Sequence, residues 1–167
     1  MTVTLIRGSI TTGKCFHNKS RVFGPAVVQA YELEQKANYP RIVVGLDVIK
    51  AGIANHANHH TLQDEFEYLK DLIKNDVDGQ WYLDYFSTAF SEVDDELMVF
   101  DYINNLERII INNIDRYKND NRVLPKYLWM KSKYNEMVTP MINQDNIDRF
   151  KKNPEIKQGL ESLSLIL

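Results

Sequence analysis

The sequence predicts an α+β fold: a small β-β-α-β front followed by a mainly helical back half. Two short β-branched runs, "TVTLIRGSI" and "PRIVVGL", flank a stretch of good helix formers, the pattern of strands around a helix. A Gly-Pro pair, Gly24–Pro25, stands where that helix begins. Further along, apolar residues recur at three- and four-residue spacing over long stretches, as amphipathic helices require.

Each element follows in order. Thr2, Val3, Thr4, Ile6 and Ile10 favour a first strand from Thr2 to Ile10. "TTGKCFH" returns as a second strand, after which "HNKS" supplies turn residues. Pro25 is preset for the first turn of a helix over Ala26–Ala37, with Val27, Ala30, Tyr31 and Glu34 sharing a face. "NYP" ends it, because the residue before a proline is driven to extended geometry. "RIVVGL" then reads as a buried strand.

After Asp47 the character changes. In "HTLQDEFEYLKDLIKND", Thr61 and Asp64 have capping-box spacing, and Leu62, Phe66, Leu69 and Ile73 form one helical stripe. "DVDGQWYLDYF" has an Asp-Gly turn before an aromatic segment, either a strand or an extended arm. Asp94 caps a predicted long helix to about Tyr117, with Val99, Ile103, Leu106, Ile110 and Ile114 on one face. Pro125 opens another helix, which Pro140 stops near its end. The polar remainder with its apolar end reads as a short helix or a docked arm. With no solenoid-period repeat and no linker, the expectation is one domain over 1–167, with a β/α/β segment at 1–50 and a helical segment at 51–167.

At 167 residues the chain is long enough for one proper core. A hydrophobic fraction of 44% with 26% charged residues belongs to a globular rather than a disordered chain. A net charge of -3 argues against a general nucleic-acid partner, and no apolar run approaches the roughly 20 residues of a membrane span. The first residues carry no charged leader followed by an apolar stretch, and the single cysteine, Cys15, makes no internal disulfide. A cytoplasmic location is the expectation.

The chemistry-bearing residues are sparse. His56, His59 and His60 have helical spacing but no carboxylate or thiolate at a fixed offset, so they read as a polar lead-in to a helix. Cys15 near His17 has nothing to lower a thiol pKa and reads as a half-buried strand cysteine. Asp76, Asp78 and Asp84 lack the alternating oxygen ligands of a calcium loop and read as a turn with a solvent-facing acid. "RGSITTGK" lacks phosphate-loop spacing. If the first two strands form a hairpin, Arg7, Lys14 and Arg21 converge at one end of the sheet, where cations meet phosphate oxygens. Solvated strand-edge charges give the same pattern.

The run "LIRGSITTGKCFHNKSRVFGPAVVQAYELEQKANYPRIVV" resembles the C-terminal half of a class III adenylate/guanylate cyclase domain. Its "FGPA", "AYELE" and "YPRIV" are most similar to bacterial cyclase-like proteins, including the uridylate and cytidylate cyclases of antiphage signalling. "DGQWYLDYF" and "KYLWMKSKYN" are similar to later segments of that group, so the resemblance runs in patches from about Leu5 to Asn135. It implies a partial cyclase sheet, a nucleoside triphosphate substrate of pyrimidine type, Mg or Mn as cofactor and a head-to-tail homodimer.

The departures from the family pattern are specific. The resemblance implies that the two metal-binding aspartates belong to a half preceding Arg7, so no metal site is identified in this chain. The helix after the glycine turn usually bears an asparagine and, four residues on, a transition-state arginine. Val28 and Glu32 stand at those positions. The expectation is therefore no catalytic residue and a chain inactive by itself, with Arg7, Lys14, Arg21, Gln29 and Glu32 as substrate-binding candidates. A catalytically silent binding or interaction module of the same fold is the alternative.

Overall fold

A computed structural model of the protein describes residues 5–56, 59–88 and 96–167. The predicted strand residues Thr2, Val3 and Thr4 and the predicted cap Asp94 lie outside these residues. The chain divides into two compact units, one of Leu5–Tyr85 and one that takes in Phe86–Leu167. Among the described residues the fold is mixed α/β, with eight helices, a four-stranded mixed sheet and a separate two-stranded ribbon.

In the first unit, β1 (Gly8–Ile10) is followed by the ribbon of β2 (Phe16–His17) and β3 (Val22–Phe23). Then come α1 (Pro25–Lys36) and β4 (Ile42–Val44). β1 and β4 pair in parallel, Ser9 against Val43, with α1 packed on both, so this is a β-α-β crossover. The expected hairpin of the first two strands does not form: β2 pairs with β3 instead, Phe16 opposite Phe23. Asn18 causes this, because its side-chain oxygen accepts from the backbone N–H of Ser20 (3.0 Å) and Arg21 (2.8 Å) and folds "NKSR" into a tight turn.

Gly24 makes the sharp turn from ribbon into helix. Its φ of 141° disfavours any side chain, and a Cβ there would stand 2.6 Å from the Lys14 carbonyl oxygen. Pro25 occupies the first helical position, as read from sequence. Of the four residues expected to share a face, Val27, Ala30 and Glu34 are half-buried, whereas Tyr31 is 63% exposed. Val43 and Val44 are buried, as a central strand demands.

The sheet unit continues beyond residue 50. α2 (Leu46–Ala54) was not anticipated, although Asp47 in its first turn and Leu46, Ile49 and Ile53 at helical spacing mark it. α3 (Leu62–Leu72) starts at the expected capping box: Asp64 N–H donates to Thr61 Oγ1 at 3.2 Å, and Thr61 N–H to Asp64 Oδ2 at 2.8 Å. The helix stops a residue short of Ile73, which leaves the predicted stripe to open β5 (Ile73–Asn75). β5 pairs antiparallel with β6 (Trp81–Leu83), and β6 with β4, giving the order β1-β4-β6-β5. "DGQWYL" is thus a hairpin turn and strand rather than an arm, with Gly79 at φ 77° in the turn.

A one-turn helix, α4 (Tyr85–Thr88), leads into the second unit. There α5 (Glu96–Arg116) buries Val99, Ile103, Leu106 and Ile110 of the stripe read from the sequence, while Ile114, its last member, is half-buried. It packs on α6 (Leu124–Met141), which has Pro125 in its first turn and carries Pro140 in its last turn. Phe86 and Trp129 meet edge to face at 5.9 Å in this core. The C-terminal stretch forms α7 (Gln144–Arg149), α8 (Pro154–Glu161) and a docked arm. Asn135 holds the arm like a strand partner, its amide donating to Ile166 O at 3.0 Å and accepting from Ile166 N–H at 2.9 Å.

Candidate functional site

In the sheet unit a cleft of about 350 Å³ opens between α1, the end of β4 and the β5–β6 turn. α1 contributes Gln29, Glu32, Leu33 and Lys36, which share one side of the helix at spacings of three and four. The β4–α2 junction contributes Gly45, Leu46 and Asp47, and the hairpin contributes Gly79, Gln80 and Trp81. This volume is at the low end of ligand pockets, roughly 300–1,000 Å³.

Asp47 is the most constrained group in the cleft. Its Oδ2 accepts from Thr12 N–H at 2.6 Å, Thr11 Oγ1 at 2.7 Å and Thr12 Oγ1 at 2.9 Å. These bonds, the backbone N–H of Thr12 first among them, hold its pKa down to about 2, well below the ordinary 3.8. Gly45 makes the arrangement possible, because a Cβ there would collide with the Asp47 carboxylate and lie 3.3 Å from Ile10 O. The threonines of "RGSITTGK" therefore tie α2 to the end of β1.

The sequence candidates divide. Gln29 and Glu32 stand on the wall of the cleft. Arg7, ahead of β1, is exposed and pairs with Glu34 Oε1 at 2.8 Å. Lys14 lies beyond the other end of that strand, with its backbone carbonyl accepting from Ala26 N–H at 3.2 Å. Arg21 follows the ribbon turn and is exposed. The convergence expected of these three cations rested on pairing the first two strands; with β1 parallel to β4 they are not among the residues lining the cleft.

The acids of the β5–β6 hairpin also differ from expectation. Asp76 and Asp84 are buried, and Asp76 and Asp78 both accept from the guanidinium of Arg41, whose side chain is fully buried. Arg41 also lies 5.1 Å from the Tyr39 ring centroid and 5.9 Å from that of Tyr82. This internal clamp holds the hairpin turn on β4. Sequence reading passed over Arg41 because it looked like one charge at the start of an apolar strand.

Cys15 is exposed rather than half-buried, one residue before β2. His60 Nδ1 is 3.2 Å from Glu65 Oε2, within the lead-in to α3. Among the described residues no group of three His, Cys, Asp or Glu side chains stands close enough to hold a metal ion. Glu32 and Asp47 are contributed by separate walls of the cleft, and Asp47 Oδ2 already has three protein donors. The described residues therefore do not fit a two-metal centre, and no step through one follows from them.

A second cavity, about 260 Å³, lies in the helical unit between Phe100, Met141, Phe150, Ile156 and Leu160. Its one polar side chain, Asn146, donates to Met141 O at 3.0 Å, so the cavity has little with which to orient a ligand. No helix of the described residues is long and apolar enough to cross a membrane. No protein-family model, no curated protein and no solved structure matches this chain.

Proposed function

We propose that this chain is a class III nucleotide-cyclase-like domain, related to enzymes that convert pyrimidine nucleoside triphosphates to cyclic monophosphates in antiphage signalling. In that reaction the ribose 3′-oxygen bonds to the α-phosphorus as the bond to pyrophosphate breaks, and the hydroxyl proton is released. Mg or Mn would assist deprotonation and neutralise phosphate charge when held by the family's metal-binding half. The observation that carries the reading is the order β1, ribbon, Gly24–Pro25 turn, α1, β4, with Gln29 and Glu32 of that helix on a polar cleft. The resemblance implies a strand, a second strand, a glycine turn, a helix and a further strand; the first strand, the turn, the helix and the last strand follow in that order, with a separate ribbon where the second sheet strand is expected.

Glu32 favours the second reading, a silent module that binds without turnover. A carboxylate on the cleft wall repels a triphosphate, where the family uses an arginine to stabilise the transition state. In both readings the partner in assembly is a second copy of the chain. The test incubates the purified chain with each of the four nucleoside triphosphates and Mn²⁺, followed by mass spectrometry for cyclic monophosphates. The chain alone is expected to give none, and an upstream-extended polypeptide from the same reading frame to give a cyclic pyrimidine monophosphate. Product from the chain alone would overturn the inactive reading, and none from the extended polypeptide would leave the silent module. Light scattering of the same preparation at micromolar concentration checks the dimer, against which a monomer would count.

A further inference from the structure

The cavity of the helical unit is a pocket between helices rather than an open face. Among its lining side chains Val99 of α5 and Ile156 and Leu160 of α8 are buried. Phe100 of α5, Met141 of α6 and Phe150 at the end of α7 are half-buried, so the cavity has both an apolar interior and a mouth. The lining thus comes from four successive helices, a concave setting in which small molecules bind. Gly159 shapes one wall. A Cβ at that position would overlap the Phe100 ring, so the glycine lets the ring lie directly on α8. A glycine inside a helix costs stability relative to alanine, and here it stands where it seats an aromatic wall of the cavity.

Size, charge and hydrogen bonding each narrow what fits. Packed interiors leave few voids larger than a water molecule, and an apolar one of about 150 Å³ already holds benzene. At about 260 Å³ this cavity has room for a substituted single ring, and it falls below the roughly 300–1,000 Å³ of pockets for larger ligands. None of its lining residues is ionisable, so an ion entering it would lose water and gain no counter-charge. Its one polar side chain, Asn146, donates from Nδ2 to Met141 O at 3.0 Å. That leaves Oδ1 as an acceptor with no donor among the described residues, which a ligand satisfies with one hydroxyl or N–H group.

We infer that this cavity binds a small neutral aromatic molecule of one ring, with a single hydroxyl or N–H donor directed to Asn146 Oδ1. The site is independent of nucleotide binding in the sheet unit.

The experiment titrates the intact chain with toluene, phenol and benzoate and follows the methyl resonances of ¹³C-labelled methionine. Met141 lines the cavity, so a bound ring shifts its methyl resonance, which Met141→Leu identifies among the five methionines. Toluene and phenol are expected to shift it saturably. Benzoate, a similar ring carrying a charge, is expected to bind at least about tenfold more weakly than either. Asn146→Leu removes the acceptor and is expected to weaken phenol about tenfold while toluene keeps its affinity, as follows from a hydroxyl left without its partner. Saturable toluene binding to that variant shows that it is folded, and Asn146→Ala repeats the comparison with less crowding. On the native chain alone, no saturable shift of Met141 with toluene and phenol, or benzoate binding as tightly as phenol, would overturn the inference. Variants that bind phenol and toluene with native affinity would overturn the role of Asn146.

Discussion

Replacing Arg41 with methionine tests the internal clamp of the sheet unit. The change keeps an unbranched stem against Tyr39 and Tyr82 and removes the guanidinium that serves Asp76 and Asp78. The Asp76 side chain is 1% exposed, so its carboxylate stays buried without that cation, a situation that costs about 3–5 kcal/mol. The Asp78 side chain is 30% exposed and turns to water, so its share is about 1 kcal/mol or less. Domains of this size have about 5–15 kcal/mol in total, so the unit loses a large part of its stability. The two tryptophans make the assay selective, because Trp81 belongs to the sheet unit and Trp129 to the helical one. With 5-fluorotryptophan labelling, ¹⁹F NMR follows the two resonances separately through a urea titration. At a slope of about 1–1.5 kcal/mol per molar urea, the Trp81 midpoint falls by roughly 2–5 M. Adding Asp76→Asn, which removes the stranded charge, recovers part of the loss, because the two changes share one interaction. A Trp81 loss below about 1 kcal/mol, or a double variant less stable than Arg41→Met alone, would refute the reasoning.

Two further perturbations address the turn into α1 and the floor of the cleft. Gly24→Ala forces a side chain onto a φ of 141° and against the Lys14 carbonyl, and is expected to cost at least about 2 kcal/mol, read from the same Trp81 transition. A loss within 0.5 kcal/mol, roughly the scatter of a neutral surface change, would show that the turn relaxes freely. Asp47 has its folded-state pKa lowered to about 2, so the stability it adds is fully present above its ordinary value of 3.8 and is lost as pH falls towards 2. The difference between the native chain and Asp47→Asn should therefore be largest near neutral pH and shrink between about pH 4 and 2; a difference that grows on acidification would contradict the hydrogen-bond assignment.

Several elements were legible because their causes are local. Pro25 presets the first turn of α1 and the pre-proline geometry of "NYP" closes the helical run, so α1 matched its predicted bounds within a residue. Thr61 and Asp64 satisfy each other's backbone across three residues, which needs no distant partner. The stripe of α5 is carried by Val99, Ile103, Leu106 and Ile110 within one helix. By contrast, Ile73 continues the periodicity of α3 yet belongs to β5, because its pairing with Leu83 outweighs one more helical turn. The pairing of β2 with β3 rather than β1 depends on an Asn18 side-chain turn that composition alone did not rank above the alternatives.

The candidate site divides along the same line. The sequence by itself determined which side chains share a side of α1, because 3.6 residues per turn aligns Gln29, Glu32 and Lys36 whatever the helix packs against. It also determined the turn into that helix, the cap of α3 and the core stripe of α5, each a contact between near neighbours in the chain. The tertiary structure decided what faces α1: the Asp47 held by Thr11 and Thr12, and Gln80 and Trp81 carried in by a hairpin clamped through Arg41. It likewise separated Arg7 and Lys14 to opposite ends of β1, and so decided that the cleft is lined by acids and amides rather than by a cluster of cations. Strand pairing and buried charge join residues tens of positions apart, and they are chosen by the global balance of burial and hydrogen bonding, which no short window of sequence contains.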